Sequence, residues 1–272
     1  GGFLLPYIER ITGVAKPFDF RVPGVTSMSM DWHKYGYCPK AASVVLHRSA
    51  ELRRFQFFAC AEYEGYAIVN PTILSAKSGG PLAAAWAVIN YLGDEGYLRF
   101  VRRIHEATQK VMAGIKAIPG LQLLAPTDTN QIAFRAEGFP CFHLVAAMKA
   151  KDWLIQPQFG AAKNRDNIHL SIGQSNLEHV DAFLADLAAC TAALQGTKVS
   201  DAVLAVRAAA AGLGAADMTP ATLLRLLDIG GVGPGKKPSS AAEMDLILDA
   251  LPPKLAEMAL TDAFSRLFTP RR

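Results

Sequence analysis

A chain of 272 residues, 51% apolar and 19% charged, carries enough hydrophobic material for one large or two ordinary domains, which excludes disorder as its default state. Lysine and arginine exceed the acidic residues by only 28 − 24 = 4, too thin a surplus to point to nucleic acid or an anionic membrane as a partner. Cys38, Cys60, Cys141 and Cys190 form no C-x-x-C pair, and the six histidines show no metal-ligand spacing. Free thiols in a reducing, cytoplasmic compartment are expected, with neither a disulfide framework nor a metal site.

The opening "GGFLLPYIER" lacks the basic start of a secretory signal and is broken by Pro6. With no initiator methionine, further natural sequence is expected ahead of Gly1, and a membrane anchor there is left open. The first 75 residues read as strand and loop with short helices. "SMSM", from Ser27, alternates, "ASVVL", Ala42 to Leu46, suits a buried strand, and "SAELRRFQFF" suits a short helix from Ser49. The apolar run "PLAAAWAVINYL", Pro81 to Leu92, is well short of the ~20 residues a bilayer demands and reads as a buried helix, so no transmembrane segment is expected.

From Gly80 the pattern is helical. Leu98, Val101, His105, Thr108, Met112 and Ile115 recur at three- and four-residue intervals, and Pro119-Gly120 ends the run. A helix from Asp94 to Ile118 is of the kind that bridges two lobes. The expected domains are therefore 1–118 and 119–272, the second a smaller α+β domain with a helical tail. In it "LQLLA" and "QIAFRA" read as strands around the turn "PTDTN", and "CFHLVAAMKAKD" as a helix. "NIHLSIG" is a third strand, with Ile168, Leu170 and Ile172 on one face and His169 and Ser171 on the other. Ser175 and Glu178 form a capping-box pattern ahead of a helix with Leu177, Val180, Leu184 and Leu187 as its core stripe. His169 and His179 are read as rim residues. The tail is alanine-rich helix broken at Thr219-Pro220, at "GGVGPGKKPSS" and at Pro252-Pro253. "GGVGPGKK" fits G-x-x-x-x-G-K, but Lys237 stands where a phosphate loop needs Ser or Thr, so a linker between helices is expected.

The chemistry lies in "SMSMDWHKYGYCPKAASVVL", Ser27 to Leu46. A lysine amine, with its ordinary pKa near ~10.4, is a poor nucleophile unless desolvated or set near another cation. Lys40 is a candidate for that cation beside Lys34. At roughly 8 Å and an effective dielectric near 20, the repulsion is ~2 kcal/mol, about 1.5 pKa units. By spacing alone, Lys34 is either a solvated hairpin lysine or a nucleophile held for a carbonyl cofactor.

Asp31, His33, Lys34, Tyr35, Gly36, Pro39 and Lys40 form a D-x-H-K-Y-G-x-x-P-K run ahead of a strand. That run resembles the cofactor-lysine region of the pyridoxal-phosphate-dependent decarboxylase and lyase superfamily, and within it the sphingosine-1-phosphate lyase family. "GGFLLPYIE", "NPT" at Asn70 to Thr72, "GGPLAAAWAVINYLGDEGYL" and "MDLILDALPPKLAEM" extend the likeness over most of the chain. The resemblance implies an α/β fold-type I (aspartate aminotransferase-like) protein, with part of a large cofactor domain followed by a small α+β domain. It implies pyridoxal 5'-phosphate held by Lys34 as an imine, with His33 beside the cofactor near its phosphate. Lys40 would line the pocket of a small-molecule amine substrate, phosphorylated and sphingoid-base-like. A homodimer is implied, with the loop from Asn70 to Gly80 near the partner's cofactor. Carbon–carbon lyase, amino-acid decarboxylase and a degenerate non-catalytic relative are the three functions it leaves open. By the same resemblance the aspartate that pairs with the pyridine nitrogen precedes Gly1, so these residues alone are expected to be inactive. The sequence departs from the lyase pattern at Ala41, where glycine is usual, at Trp32, where threonine is usual, near Ile68, where a tyrosine is expected, and at Ala76 and Lys77, where serine and arginine stand.

Overall fold

Pro6 sits in the first turn of helix α1 (Leu5–Thr12), where a missing N–H costs nothing, and Gly13 ends that helix in the left-handed conformation. In this computed structural model the described residues are 2–14, 16–74, 76–160, 166–233, 236 and 239–268. The chain packs as two units. The first holds residues 1–108, 127–130 and 172–177, and the second holds 109–126, 131–171 and 178–272.

In the first unit, strands β1 (Ser27–Asp31) and β2 (Ser43–His47) pair antiparallel, with Ser27 opposite His47 and Asp31 opposite Ser43. Ser49 caps helix α2 (Ala50–Arg53), its hydroxyl accepting from the Leu52 amide at 3.3 Å. A second ribbon follows, β3 (Phe58–Cys60) against β4 (Ile68–Asn70). Helix α3 spans Gly79–Ala117 and breaks at Gly93, whose φ of 58° and ψ of 179° are open to glycine alone. Phe3, Leu4 and Ile8 pack on Tyr97 and Val101 of α3, with Trp32 and Tyr35 against the cluster.

Two expectations of burial fail in this unit. The Pro81–Leu92 run is helical, but Leu82, Trp86 and Tyr91 are 74%, 70% and 89% exposed. Val45 and Leu46 of β2 are exposed as well. Each ribbon has two strands only, and in the first of them Met30 of β1 packs against the cluster of α1 and α3 while Val45 and Leu46 of β2 stay in solvent.

The second unit contains a four-stranded antiparallel sheet in the order β5 (Leu121–Leu123), β6 (Gln131–Ala136), β8 (Asn167–Ser171), β7 (Gln156–Gln158). Strict alternation buries Ile132, Phe134 and Ala136 of β6, and Ile168 and Leu170 of β8. They meet Phe142, Leu144 and Met148 of α4 (Cys141–Lys149) and Leu187 of α5 (Val180–Leu194) in a fully covered core. The capping box does not form. Gln174–His179 is a 3-10 turn, α5 starts one turn later at Val180, and no side chain caps it. Asn176 instead takes the Gly173 amide at 2.7 Å.

The tail folds as α6 (Asp201–Ala210), α7 (Pro220–Ile229), α8 (Ala241–Ala250) and α9 (Pro253–Phe268). Thr219 caps α7, with Pro220 in its first turn. Val206, Leu223, Leu226, Leu251 and Leu255 close the core of these helices. Pro234, Gly235 and Lys237 of the glycine-rich stretch lie outside the described residues, as does Ser75 of the loop after "NPT". All four cysteines are free thiols. Among the described residues no helix is long and apolar enough to cross a membrane, and no group of three His, Cys, Asp or Glu is placed to hold a metal.

Candidate active site

The eleven-residue connection from Trp32 to Ala42 ties the end of β1 to the start of β2, and its shape is set by backbone bonds. The Lys34 amide donates to the Asp31 carbonyl at 3.3 Å, the Tyr37 amide to Lys34 at 3.0 Å, and the Cys38 amide to Trp32 at 3.1 Å. This coil leaves no room at Gly36, where a Cβ would stand 2.6 Å from the Trp32 carbonyl oxygen. The Tyr97 hydroxyl, from α3, donates to the Gly36 carbonyl at 2.8 Å, and burial pushes its pKa up to about 12, which keeps it a donor. Tyr37 and Ala41 take left-handed backbone, with φ of 58° and 72°. Ala41 is where the lyase pattern has glycine, and the backbone there is one that glycine adopts without strain.

Lys34 lies at the open end of the hairpin with its side chain 60% exposed, and its ammonium meets Asp31 Oδ2 at 2.7 Å. The Ser43 hydroxyl donates to the other Asp31 oxygen at 2.9 Å. Hydrogen bonds from Lys34 and then Ser43 hold the Asp31 carboxyl below its ordinary range, and the hydrogen bond to Asp31 raises the Lys34 amine above its own. The expected influence of Lys40 on Lys34 is thereby corrected. A neighbouring cation would lower the amine, whereas the group in contact is a carboxylate three residues back, and it raises it. No hydrogen bond or ion pair among the described residues joins Lys40 to Lys34 or His33. Lys40 is exposed beyond Pro39.

His33 is fixed by a single carbonyl. Its backbone amide donates to Ala42 O at 3.1 Å, and its ring Nδ1 lies 3.1 Å from the same oxygen. A carbonyl only accepts, so Nδ1 carries a proton and Nε2 is the nitrogen left for a ligand. Ser43 Oγ lies 3.3 Å from Nδ1, which links His33, Ser43, Asp31 and Lys34 in one chain of polar contacts. The structure thus brings Lys34 and His33 together and adds two residues that sequence reading passed over as functional groups, Asp31 and Ser43. The three-residue spacing of Asp31 and Lys34 was the available signal for the first. Ser43 carried none, because it arrives through strand register.

No family model matches the chain. The sphingosine-1-phosphate lyase of Arabidopsis thaliana is 38% identical over 187 residues, covering 69% of this chain and 34% of that protein. A probable L-aspartate decarboxylase of Thermococcus gammatolerans is 29% identical over 188 residues, covering 69% of this chain and 47% of that one. Among solved structures, a sphingosine-1-phosphate lyase of Burkholderia pseudomallei superposes with a TM-score of 0.64 at 34% identity, over 71% of this chain and 43% of that one. The chain spans about a third of the length of the curated lyases it matches. The fold is the α/β fold of the type I pyridoxal-phosphate enzymes. With the D-x-H-K-Y-G loop, the hairpin that carries it and these relatives in agreement, about 70% of the chain is homologous to the sphingosine-1-phosphate lyases and to pyridoxal-phosphate-dependent decarboxylases.

Proposed function

We propose that this protein takes part in a pyridoxal-phosphate-dependent carbon–carbon lyase whose substrate is a phosphorylated, sphingoid-base-like amine, and that Lys34 is the residue that binds the cofactor. The observation that carries the reading is Lys34 itself: a primary amine 60% exposed, in contact with one carboxylate, at the open end of a rigid loop. Such an amine fits an aldehyde cofactor, and the His33 imidazole beside it, with Nδ1 held on the Ala42 carbonyl, can donate to an anionic group when Nε2 is protonated as well. When bound, a pyridoxal ring supplies the electron sink for breaking a bond next to an amine.

The residues of the chain do the rest. In the resting arrangement Asp31 keeps the proton on Lys34 Nζ, so the amine is a weak nucleophile until that contact is released. Ser43 fixes the carboxylate, and the Ala42 carbonyl fixes the histidine tautomer. Lys40 is proposed as the cation that meets the substrate's anionic group. The loop of residues 70–80 is proposed to serve the cofactor site of a second copy in a homodimer. Ile73 and Leu74 of the loop and Tyr66, Val69 and Trp86 on either side of it in sequence are all exposed, which supports an interface there. A sedimentation profile that stays monomeric at micromolar concentration in the active protein would remove the dimer.

The test of the lysine is to add pyridoxal phosphate, reduce with borohydride and map the modified peptide. An adduct on Lys34 is expected, and an adduct on Lys40 overturns the assignment. Release of a long-chain aldehyde from a phosphorylated sphingoid base then identifies the lyase. Release of carbon dioxide from an acidic amino acid would favour the second reading, a decarboxylase, for which the likeness to the archaeal aspartate decarboxylase speaks. The exposed apolar residues around the ribbons also lead us to propose that residues 1–272 alone do not turn over. Turnover by this chain at the rate of a longer one would contradict that.

A further inference from the structure

Tyr97 and Phe100 stand three residues apart on one face of α3, and both reach the loop that carries Lys34. The Tyr97 ring is 3% exposed and packs edge-on against Phe3 at a centroid distance of 5.0 Å, so the core of the first unit sets its position. From there its hydroxyl donates to the Gly36 carbonyl at 2.8 Å. The Cys38 thiol also approaches that oxygen, at 3.4 Å, but a thiol is a weak donor. The Phe100 ring meets the Tyr37 ring at 5.3 Å and 77°.

The Gly36 carbonyl and the Tyr37 N–H are the two ends of one planar trans peptide, so they point in opposite directions. The N–H donates to the carbonyl of Lys34 at 3.0 Å and closes the turn from Lys34 to Tyr37. One peptide is thus held from both sides, by Tyr97 on its oxygen and by Lys34 on its nitrogen. The orientation has a cost. Tyr37 carries a φ of 58°, left-handed backbone that a residue with a side chain adopts at a penalty. Turning the peptide over would take that φ to 58 − 180 = −122°, ordinary extended backbone, and glycine at position 36 tolerates the matching change in ψ. The turned peptide would lose both bonds. Left-handed strain at one residue and one neutral hydrogen bond are of about the same size, so two bonds outweigh the strain and one bond only matches it. The Tyr97 hydroxyl therefore decides the orientation.

We propose that Tyr97 is a positioning residue for Lys34: its hydroxyl locks the Gly36–Tyr37 peptide in the orientation whose N–H holds the Lys34 carbonyl, and so fixes the backbone from which the amine is presented. The proposal rests on the reading of Lys34 as the cofactor lysine for its meaning, but the lock itself is tested without cofactor. Tyr97→Phe keeps the buried ring and removes only the donor. Amide hydrogen exchange, read residue by residue by NMR on the whole chain, should be about two- to tenfold faster at Tyr37, the range that one neutral hydrogen bond supports. The amides of His33 and Cys38, bonded to the Ala42 and Trp32 carbonyls at 3.1 Å each, should keep their rates. In the same variant the borohydride-trapped pyridoxal phosphate adduct on Lys34 should form about two- to tenfold more slowly than in the parent protein, since strain and the remaining bond leave a large share of molecules with the peptide turned.

An unchanged Tyr37 amide overturns the proposal. So does a rise shared by His33 and Cys38, which would make Tyr97 a core residue and nothing more. A Tyr97→Phe protein that fails to fold overturns it as well, because the hydroxyl would then serve the whole unit rather than one peptide. Faster exchange at Tyr37 with trapping at the parent rate would show a lock with no bearing on the lysine, and would remove the positioning role. If the parent forms no adduct on Lys34, the cofactor reading fails, and the exchange pattern still decides whether Tyr97 holds the peptide.

Discussion

The two units of this chain solve burial differently. The second buries Phe134, Phe142, Leu144, Ile168 and Leu187 almost completely between an antiparallel sheet and its helices, and its tail helices close a further core. The first carries Lys34, proposed as the cofactor lysine, on a two-stranded ribbon, with apolar residues such as Phe55, Tyr91 and Ile73 left in solvent. Stability is concentrated in one unit and candidate chemistry in the other. A reactive amine needs an approach, and a ribbon with an open face provides one where a finished core cannot.

That contrast can be broken by substitution. Phe134→Ala in the second unit should cost about 3–5 kcal/mol, whereas Tyr91→Ala in the first should stay within about 0.5 kcal/mol, both read from urea midpoints. Equal costs would mean that the exposed face of the first unit is covered in solution. Gly36→Ala should cost about 1–3 kcal/mol, because the added methyl meets backbone at 2.6 Å rather than a side chain that can turn aside. Its companion signature is loss of borohydride-trapped adduct on Lys34, so a stable variant with normal trapping would show that the loop has slack.

A gain is expected at Ala41. With φ at 72°, Ala41→Gly should relieve left-handed strain and stabilise the first unit by about 0.5–1 kcal/mol, seen as slower hydrogen exchange in β1 and β2. The smallest effect separates the units by pH. Burial pushes the His143 imidazole of α4 below its ordinary 6.5, with Glu243 opposing, and its Nε2 is buried without a partner. A depressed folded value means that its contribution is full above pH 6.5 and is lost as pH falls through the folded value. Urea midpoints of the second unit should therefore decline on acidification below that point, and His143→Gln should flatten the decline while leaving the first unit unchanged.

What the sequence made legible follows from local physics. The alternation Ile168, Leu170, Ile172, the Thr219-Pro220 helix start and the stripe through Val101, Thr108, Met112 and Ile115 all came through, because period and capping are written within a few residues. The strand Gln156–Gln158 did not, since a central proline and two glutamines carry no strand signal and β8 alone recruits it. The burial expected for Val45 and Leu46 and for the Pro81–Leu92 run failed because apolar composition records a tendency to be covered, not whether a covering element is at hand. At the site, Lys34 and His33 stood out through their loop. The identity of the group facing Lys34 was misjudged because Lys40 and Asp31 are both near in sequence and only the turn decides between them. Tyr97, 61 residues beyond the Gly36 carbonyl that it bonds, was out of reach of any local reading.

The chain passes from one unit to the other five times, after residues 108, 126, 130, 171 and 177. No single cut releases either unit as a continuous peptide, so a nick in one of the crossings leaves both pieces needed for both folds. The order of synthesis adds a constraint of its own. Lys34 emerges early, but Asn130, which bonds Tyr35 of its loop, and Gln174, whose backbone bonds Tyr37, emerge roughly a hundred or more positions later. Contacts of such long range form slowly. During translation, then, the lysine is present as an ordinary surface amine well before it has a site, and its surroundings are assembled only when the far end of the sheet has been made.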